Sequence, residues 1–295
     1  MIDISDDRMD NLSKPSSLVD LLREDHCILP ASVNDPMAAR IAEDIGFEAL
    51  MLAGSTASLA ILGDPDHMLL TLSELSGLTR RICRAGSLPL MVDADHGYGN
   101  ALNVRRTVQE LENAGAAGLS IEDTHLPRPF ASGKSPSLLS IEEGIGKMRA
   151  AVDARRDASV LIAARTNAPR FSSLGDTLKR VEAYQKTGVD ALFLAGVKTR
   201  EQLETISNVA KLPIMLGGAG PELADPDFLA EHGVRFLVQG HQSIQAAIQA
   251  VYSSFYLLRE GVKPQDLPGL PDQTLMDRVT QKHHYRDLID RFLEP

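Results

Sequence analysis

The segment LPLMVDADHGYGN, Leu88 to Asn100, places Asp93 and Asp95 directly after the apolar run Leu90-Met91-Val92. Two apart on an extended backbone, their side chains point to the same side. Neighbouring carboxylates repel, and one pKa rises unless a cation neutralises them; a hard divalent ion with oxygen ligands does this at low cost. Asp66 follows an earlier apolar run, and Glu122 with Asp123 ends GLSIED. The all-oxygen set Asp66, Asp93, Asp95 and Glu122 favours Mg2+, or alternatively Mn2+, over structural zinc, with some carboxylates acting through coordinated water. Aspartates also cap helices and tighten turns, and any one of these residues could do only that. Their recurrence at the ends of successive apolar runs favours the metal site.

Other chemistry-bearing residues stand at equivalent places. Arg165 follows Leu161-Ile162-Ala163-Ala164, where a guanidinium can clamp a substrate carboxylate bidentately or pair with one of the acidic residues. His241 follows Val238-Gln239-Gly240 and can donate a proton or a hydrogen bond, or else support a helix start. Ser55, in GSTAS, offers a hydroxyl or backbone N–H to an anion, or forms part of a small-residue turn. THLPRPFASGKSPSLL, Thr124 to Leu139, is a loop with Arg128 and Lys134, suited to a lid over an anionic ligand or to an ordinary exposed connection. Gly97 and Gly99 permit a tight bend around Tyr98, and Asn100 or Asn103 can cap the helix that follows. DHGYGNA is no GxGxxG, and GKS at Gly133 to Ser135 lacks the first glycine of a phosphate loop, so nucleotide binding has little support.

These residues need a scaffold that repeats. Apolar runs recur at Cys27–Val33, Glu48–Ser55, Leu88–Asp95, Gly118–Asp123, Val160–Thr166, Ala191–Gly196, Leu212–Gly218 and Val234–Gly240. Most lack polar alternation, as expected of parallel strands covered on the outside by helices. Between them lie segments of helical spacing, such as NVRRTVQELENAG with Val104, Val108 and Leu111, and Gly46, Gly115, Gly188 and Gly233 stand where left-handed helix caps are required. Eight such units predict an α/β fold, a (β/α)8 TIM barrel whose chemistry sits at the carboxyl ends of its strands. The chain reads as one barrel domain, residues 1–295, with its core at about 26–260 and a C-terminal helical extension at 261–295. The long helix in GHQSIQAAIQAVYSSFYLLREG carries an apolar stripe, Ile244, Ala247, Ile248, Val251, Phe255 and Leu258, for its own barrel or for a partner subunit.

Composition narrows the partners. With 30 Lys and Arg against 40 Asp and Glu, a formal net charge of -10, a broad basic surface for nucleic acid or acidic lipid is disfavoured. A small anionic substrate fits if positive charge is concentrated locally. Only Cys27 and Cys83 occur, with no CxxC, so neither a disulfide framework nor a cysteine zinc site is expected. The polar, acidic N-terminus and the lack of a long apolar run lead to the expectation of a cytoplasmic protein with no membrane span.

VDADHGYGNALNVRRTVQELENAGAAGLSIED, followed by the Arg/Lys/Gly loop and IAARTNA, resembles the isocitrate lyase and phosphoenolpyruvate mutase superfamily, its oxaloacetate decarboxylase branch in particular. The likeness runs from ASVNDPMAARIAEDIGFEALMLAGS to VQGHQSIQAAIQAVY. The resemblance implies a (β/α)8 barrel acting on a metal-bound 2-oxo acid, assembled as a homotetramer, a dimer of dimers with a C-terminal helix exchanged between subunits. It also implies that Asp93 is the direct metal ligand, while Asp95, Asp66 and Glu122 hold metal-bound water. Ser55 and the Gly54–Ser55 backbone correspond to carboxylate binders, Arg165 to the substrate-clamping arginine and His241 to the histidine that marks the decarboxylase branch. The lyases of the superfamily carry a cysteine in a KKCGH-like gate loop, whereas this loop reads RPFASGKS. A tyrosine expected near the end of strand seven is also missing, where the chain reads LGGAGPEL, Leu216 to Leu223. The leading expectation is therefore metal-dependent decarboxylation of oxaloacetate to pyruvate and CO2, with Arg165, His241 and Asp93 at its centre. Carbon–carbon lysis of a substituted malate, phosphonate-related enolate chemistry, and a dicarboxylate-binding barrel without turnover are the alternatives.

Overall fold

The computed structural model describes residues 17–131 and 136–294. Eight parallel strands, β1 (Ala31–Ser32), β2 (Leu50–Leu52), β3 (Leu90–Asp93), β4 (Gly118–Glu122), β5 (Leu161–Thr166), β6 (Ala191–Ala195), β7 (Ile214–Gly217) and β8 (Val234–Val238), pair in chain order. An isolated bridge from Ile28 to Phe236 joins the two edges and nearly closes the barrel. Helices cross over between successive strands, as parallel pairing demands. The Gly46, Gly115, Gly188 and Gly233 stops all have positive φ.

Nearly all residues of β2 to β7 are buried on both strand faces, which is why those runs show no polar alternation. Leu50, Leu52, Leu90, Val92, Leu119 and Ile121 pack outward against the helices, while Met51, Met91, Leu161, Ala163, Phe193, Met215 and Phe236 fill the barrel interior. The period of two then carries the inward set on to Asp93, Glu122 and Arg165 at the carboxyl ends. At the opposite end, Leu18, Leu21 and Leu22 close the interior. Packing is tight there: a Cβ on Gly118 would lie 3.0 Å from Leu18 Cδ1 and 3.0 Å from Met91 Sδ.

The strands are shorter than the apolar runs, most of all at the first. Pro30 has no N–H to donate, so pairing across Cys27–Val33 breaks into the Ile28 bridge and the two-residue β1. After β8 the helix Gln242–Arg259 buries only Ile244. Helix Gln273–Val279 returns to helix Pro36–Ile45, placing Arg278 Nε 3.0 Å from Asp44 Oδ2 and burying Val279. Helix Lys282–Phe292 buries no residue against this chain.

Candidate active site

The carboxyl ends of β3, β4 and β5 meet at one guanidinium. Register sets Asp93 beside Ser120 and Glu122 beside Arg165. Arg165 Nη1 donates to Asp93 Oδ2, and Nε lies 3.0 Å from Glu122 Oε2 but off the line of a hydrogen bond. Burial would lower the Arg165 pKa, but Asp93 and Glu122 outweigh it and hold the guanidinium charged. The Phe193 ring lies beneath it, 5.3 Å from Cζ. Asn167 Nδ2 donates to Glu122 Oε2 and to Thr124 Oγ1, both at 2.8 Å, fixing the carboxylate that faces Arg165.

Asp95 reaches the same cluster by a different route from the one its spacing suggests. The strand ends at Asp93, and Asp95 has φ 48°, so the extended backbone that would align the two side chains stops short of it. The turn brings the groups together: Asp95 N donates to Asp93 Oδ1 at 3.2 Å, and Glu122 N donates to Asp95 O at 2.8 Å. Gly97 and Gly99, with φ 76° and 147°, complete the bend around Tyr98, and Asn100 and Asn103 cap helix Ala101–Ala114 reciprocally. From beneath, the buried Lys147 Nζ donates to His96 O at 2.7 Å.

Gly54 and Ser55 open helix Gly54–Ile61. Ala53, at its N-cap, supplies no side-chain acceptor, which leaves first-turn N–H groups for an anion. Gly54 also backs directly onto Asp95, since a Cβ there would lie 2.8 Å from Oδ1. Asp66 stands on the exposed loop that follows. Partial desolvation of its carboxyl, and then the charge of Asp93, raise its pKa.

His241 stands after β8, where its side chain does not cap the following helix. Its Nδ1 is 2.8 Å from Ser32 Oγ of β1, on the far side of the barrel seam. Burial lowers its pKa against the pull of Asp93 and Asp66. Asp93, Arg165, Asn167 and His241, with Gly217 and Gly218, line a cavity of about 380 Å3. Asp95, Glu122, Asp66, Gly54 and Ser55 are not among its lining, although Asp95 and Glu122 touch groups that are.

Asp123, the neighbour of Glu122, points the other way. Its Oδ2 accepts from Thr166 Oγ1 at 2.9 Å and from Arg180 Nη1 and Tyr184 OH at 2.8 Å, locking the β4 and β5 ends to helix Leu174–Tyr184. The loop beyond is pinned at its base, where His125 N donates to Ser137 O at 2.8 Å and Leu139 N to Asp123 O at 2.7 Å. Lys134 of the expected lid lies outside the described residues. Ser32, Phe193, Arg170 and Lys198 are the site residues that sequence patterns did not single out; the last two line the cavity as exposed side chains. All four occur within about five residues of a strand end or in an inward register, the only signal that could have marked them.

Comparison with known proteins agrees with this architecture. The family model for phosphoenolpyruvate phosphomutase matches residues 18–257. The chain belongs to the phosphoenolpyruvate phosphomutase family. Among relatives of this family member, a Rhodopseudomonas palustris (strain BisA53) protein named oxaloacetate decarboxylase is 55% identical over 92% of this chain and 94% of its own. One of the same name from Bradyrhizobium sp. (strain ORS 278) is 52% identical over the same shares. A solved phosphonopyruvate hydrolase, in complex with oxalate and Mg2+, superposes with a TM-score of 0.85 at 28% identity, covering 96% of this chain and all of that one.

Membership of this family implies a divalent metal cofactor, and the residues fit one. Among the described residues no three His, Cys, Asp or Glu side chains converge closely enough to ligate an ion directly. A hydrated Mg2+-like ion held by one carboxylate, with others reached through water, needs no such convergence. The carboxylates themselves call for positive charge: burial, then Asp93, Glu122 and Asp66, raise Asp95 well above the usual range, against the pull of Arg165. Among the described residues the buried Tyr98 hydroxyl has no hydrogen-bond partner, and its pKa is raised first by burial and then by Asp95, a place suited to an ordered water.

Proposed function

We infer that the protein decarboxylates oxaloacetate to pyruvate and CO2 with a divalent metal, Mg2+ or alternatively Mn2+. The observation that carries this reading is the likeness to oxaloacetate decarboxylases at 52–55% identity across 92% of the chain. Asp93 would hold the ion directly, and Asp95, Asp66 and Glu122 would hold its water. Such an ion supplies Lewis-acid stabilisation of the charge that develops as the C3–C4 bond breaks.

The protein's own groups account for the rest. Arg165 faces the cavity with its charge already oriented by Asp93 and Glu122, so it can meet a developing oxyanion without reorganising. The first-turn N–H groups at Gly54 and Ser55 take the C1 carboxylate. With the Ser32 hydroxyl donating to Nδ1, the neutral His241 ring carries its proton on Nε2 and can deliver it at C3. No phenol stands at Gly217 or Gly218 to share that role. RPFASGKS lacks the cysteine used for lysis, which favours loss of CO2 over cleavage of a substituted malate. Product identification across a panel of 2-oxo acids tests this: Asp93→Ala should abolish metal-dependent release of pyruvate, and retention of full activity would remove Asp93 from the site.

We propose further that the protein is a homotetramer, a dimer of dimers exchanging its C-terminal helices. In support, Ile248, Val251, Tyr252, Phe255 and Tyr256 on helix Gln242–Arg259 are each more than half exposed in the single chain, an apolar surface suited to a second copy. Among the described residues no helix is long and apolar enough to cross a membrane.

A further inference from the structure

The cavity holds more positive charge than the reaction centre uses. Arg165 stands at the inner end of the cavity, oriented by Asp93 and Glu122. Two other cations line the same cavity, Arg170 after β5 and Lys198 after β6. Among the described residues neither is paired with a carboxylate.

Both are held in place by the backbone. Arg170 sits in the short helix Ala168–Phe171 with its Cβ against Gly196, where a side chain on residue 196 would meet it at 2.8 Å. The Lys198 backbone is pressed on by Gly220, where a Cβ would lie 2.1 Å from Lys198 O, and Lys198 N donates to Gln202 Oε1 at 2.8 Å. Lys198 Nζ donates to Gly218 O at 3.1 Å, spending one of its three donors and leaning the ammonium over the side-chain-free wall of Gly217 and Gly218.

We propose that Arg170 and Lys198 form an outer anion subsite that captures the distal acidic group of a dianionic 2-oxo acid. The pair thereby selects dicarboxylate-like substrates over monoanionic ones. This rests on the decarboxylase reading for the identity of the natural substrate, though not for the binding itself. The exposure of both side chains matters chemically. A carboxylate that leaves as neutral CO2 loses its charge, so a tight buried ion pair would stabilise the substrate more than the transition state. Solvent-screened cations give attraction and orientation without that penalty.

The test is calorimetric titration of the full-length Mg2+-loaded protein with two probes. Oxalate occupies only the inner position, whereas 3-sulfopyruvate carries a distal sulfonate that cannot leave as CO2. In the double variant R170Q/K198Q, affinity for 3-sulfopyruvate should fall about three- to tenfold, the range for two screened ion pairs, with oxalate affinity unchanged. For oxaloacetate, KM should rise without loss of kcat, and the salt dependence of kcat/KM should flatten. Equal weakening of both probes, or unchanged 3-sulfopyruvate binding, would overturn the subsite. If wild type shows the probe selectivity but releases no pyruvate from oxaloacetate, the subsite stands and the decarboxylase reading falls.

Discussion

Gly54→Ala isolates the contact between the helix that opens after β2 and the acidic turn after β3. Gly54 lies in helix Gly54–Ile61 outside the left-handed region, so its backbone accepts alanine, and helix propensity alone favours the change by up to about 1 kcal/mol. The added Cβ would lie 2.8 Å and 2.9 Å from the two Asp95 carboxylate oxygens and 3.2 Å from Cγ. Asp95 has a short side chain, is buried, and is tied at its N–H to Asp93 and at its carbonyl to Glu122. Its carboxylate must move by several tenths of an ångström, and overpacking of this kind costs about 1–3 kcal/mol. If about half of that appears as lost ion binding, Mg2+ affinity falls about two- to tenfold. Melting of the metal-free protein should shift by no more than a few degrees. Gly146→Ala is the control, because nothing lies within 4 Å of its added Cβ. Calorimetric Mg2+ titration of the three proteins reads the result. Unchanged Mg2+ affinity in Gly54→Ala would refute the placement of Asp95 in the ion's surroundings.

Three further outcomes are expected. Ser32→Ala removes the partner of His241 Nδ1 and should lower kcat up to about tenfold while displacing the acidic limb of the pH profile, with Ser32→Thr restoring both; an unaltered profile would show that the contact orients nothing. Burial raises the Cys27 thiol from 9.0 to about 11. A folded-state pKa above the unfolded value adds stability that is complete below pH 9 and is lost as pH rises towards about 11, about 3 kcal/mol in all, so urea midpoints of wild type should fall over that window more than those of Cys27→Ala. Val251→Glu with Phe255→Glu, charging the exposed stripe, should yield a smaller species by light scattering; an unchanged mass would place the subunit contacts elsewhere.

Much of the scaffold was legible because burial on both strand faces leaves unbroken apolar runs, and because Gly46, Gly115, Gly188 and Gly233 punctuate the helices that feed them. The polar ends of those runs, Asp93, Glu122, Arg165 and His241, could be read for the same reason: the runs end where the barrel opens. Strand extent was not legible at β1, where Pro30 removes a donor, nor after Asp93, where the left-handed Asp95 bends the chain while keeping its carboxylate in the cluster. Ser32, Arg170 and Lys198 escaped because their meaning depends on partners far along the chain, His241 for the first and the Gly196 and Gly218–Gly220 segments for the others. Strand parity separates the Glu122–Asp123 dipeptide, turning Glu122 towards Arg165 and Asp123 towards Arg180 and Tyr184.

The proposed reaction is cleavage of the bond between C3 and C4 of oxaloacetate at this site. Incubating the purified protein and Mg2+ with oxaloacetate labelled with 13C at C4 tests it most directly, with gas and pyruvate measured together. Labelled CO2 and unlabelled pyruvate should appear in equal amounts, far faster than with Mg2+ alone, and the rate should return to the Mg2+-only value in Asp93→Ala. Release no faster than with Mg2+ alone, or label retained in the organic product, would contradict it.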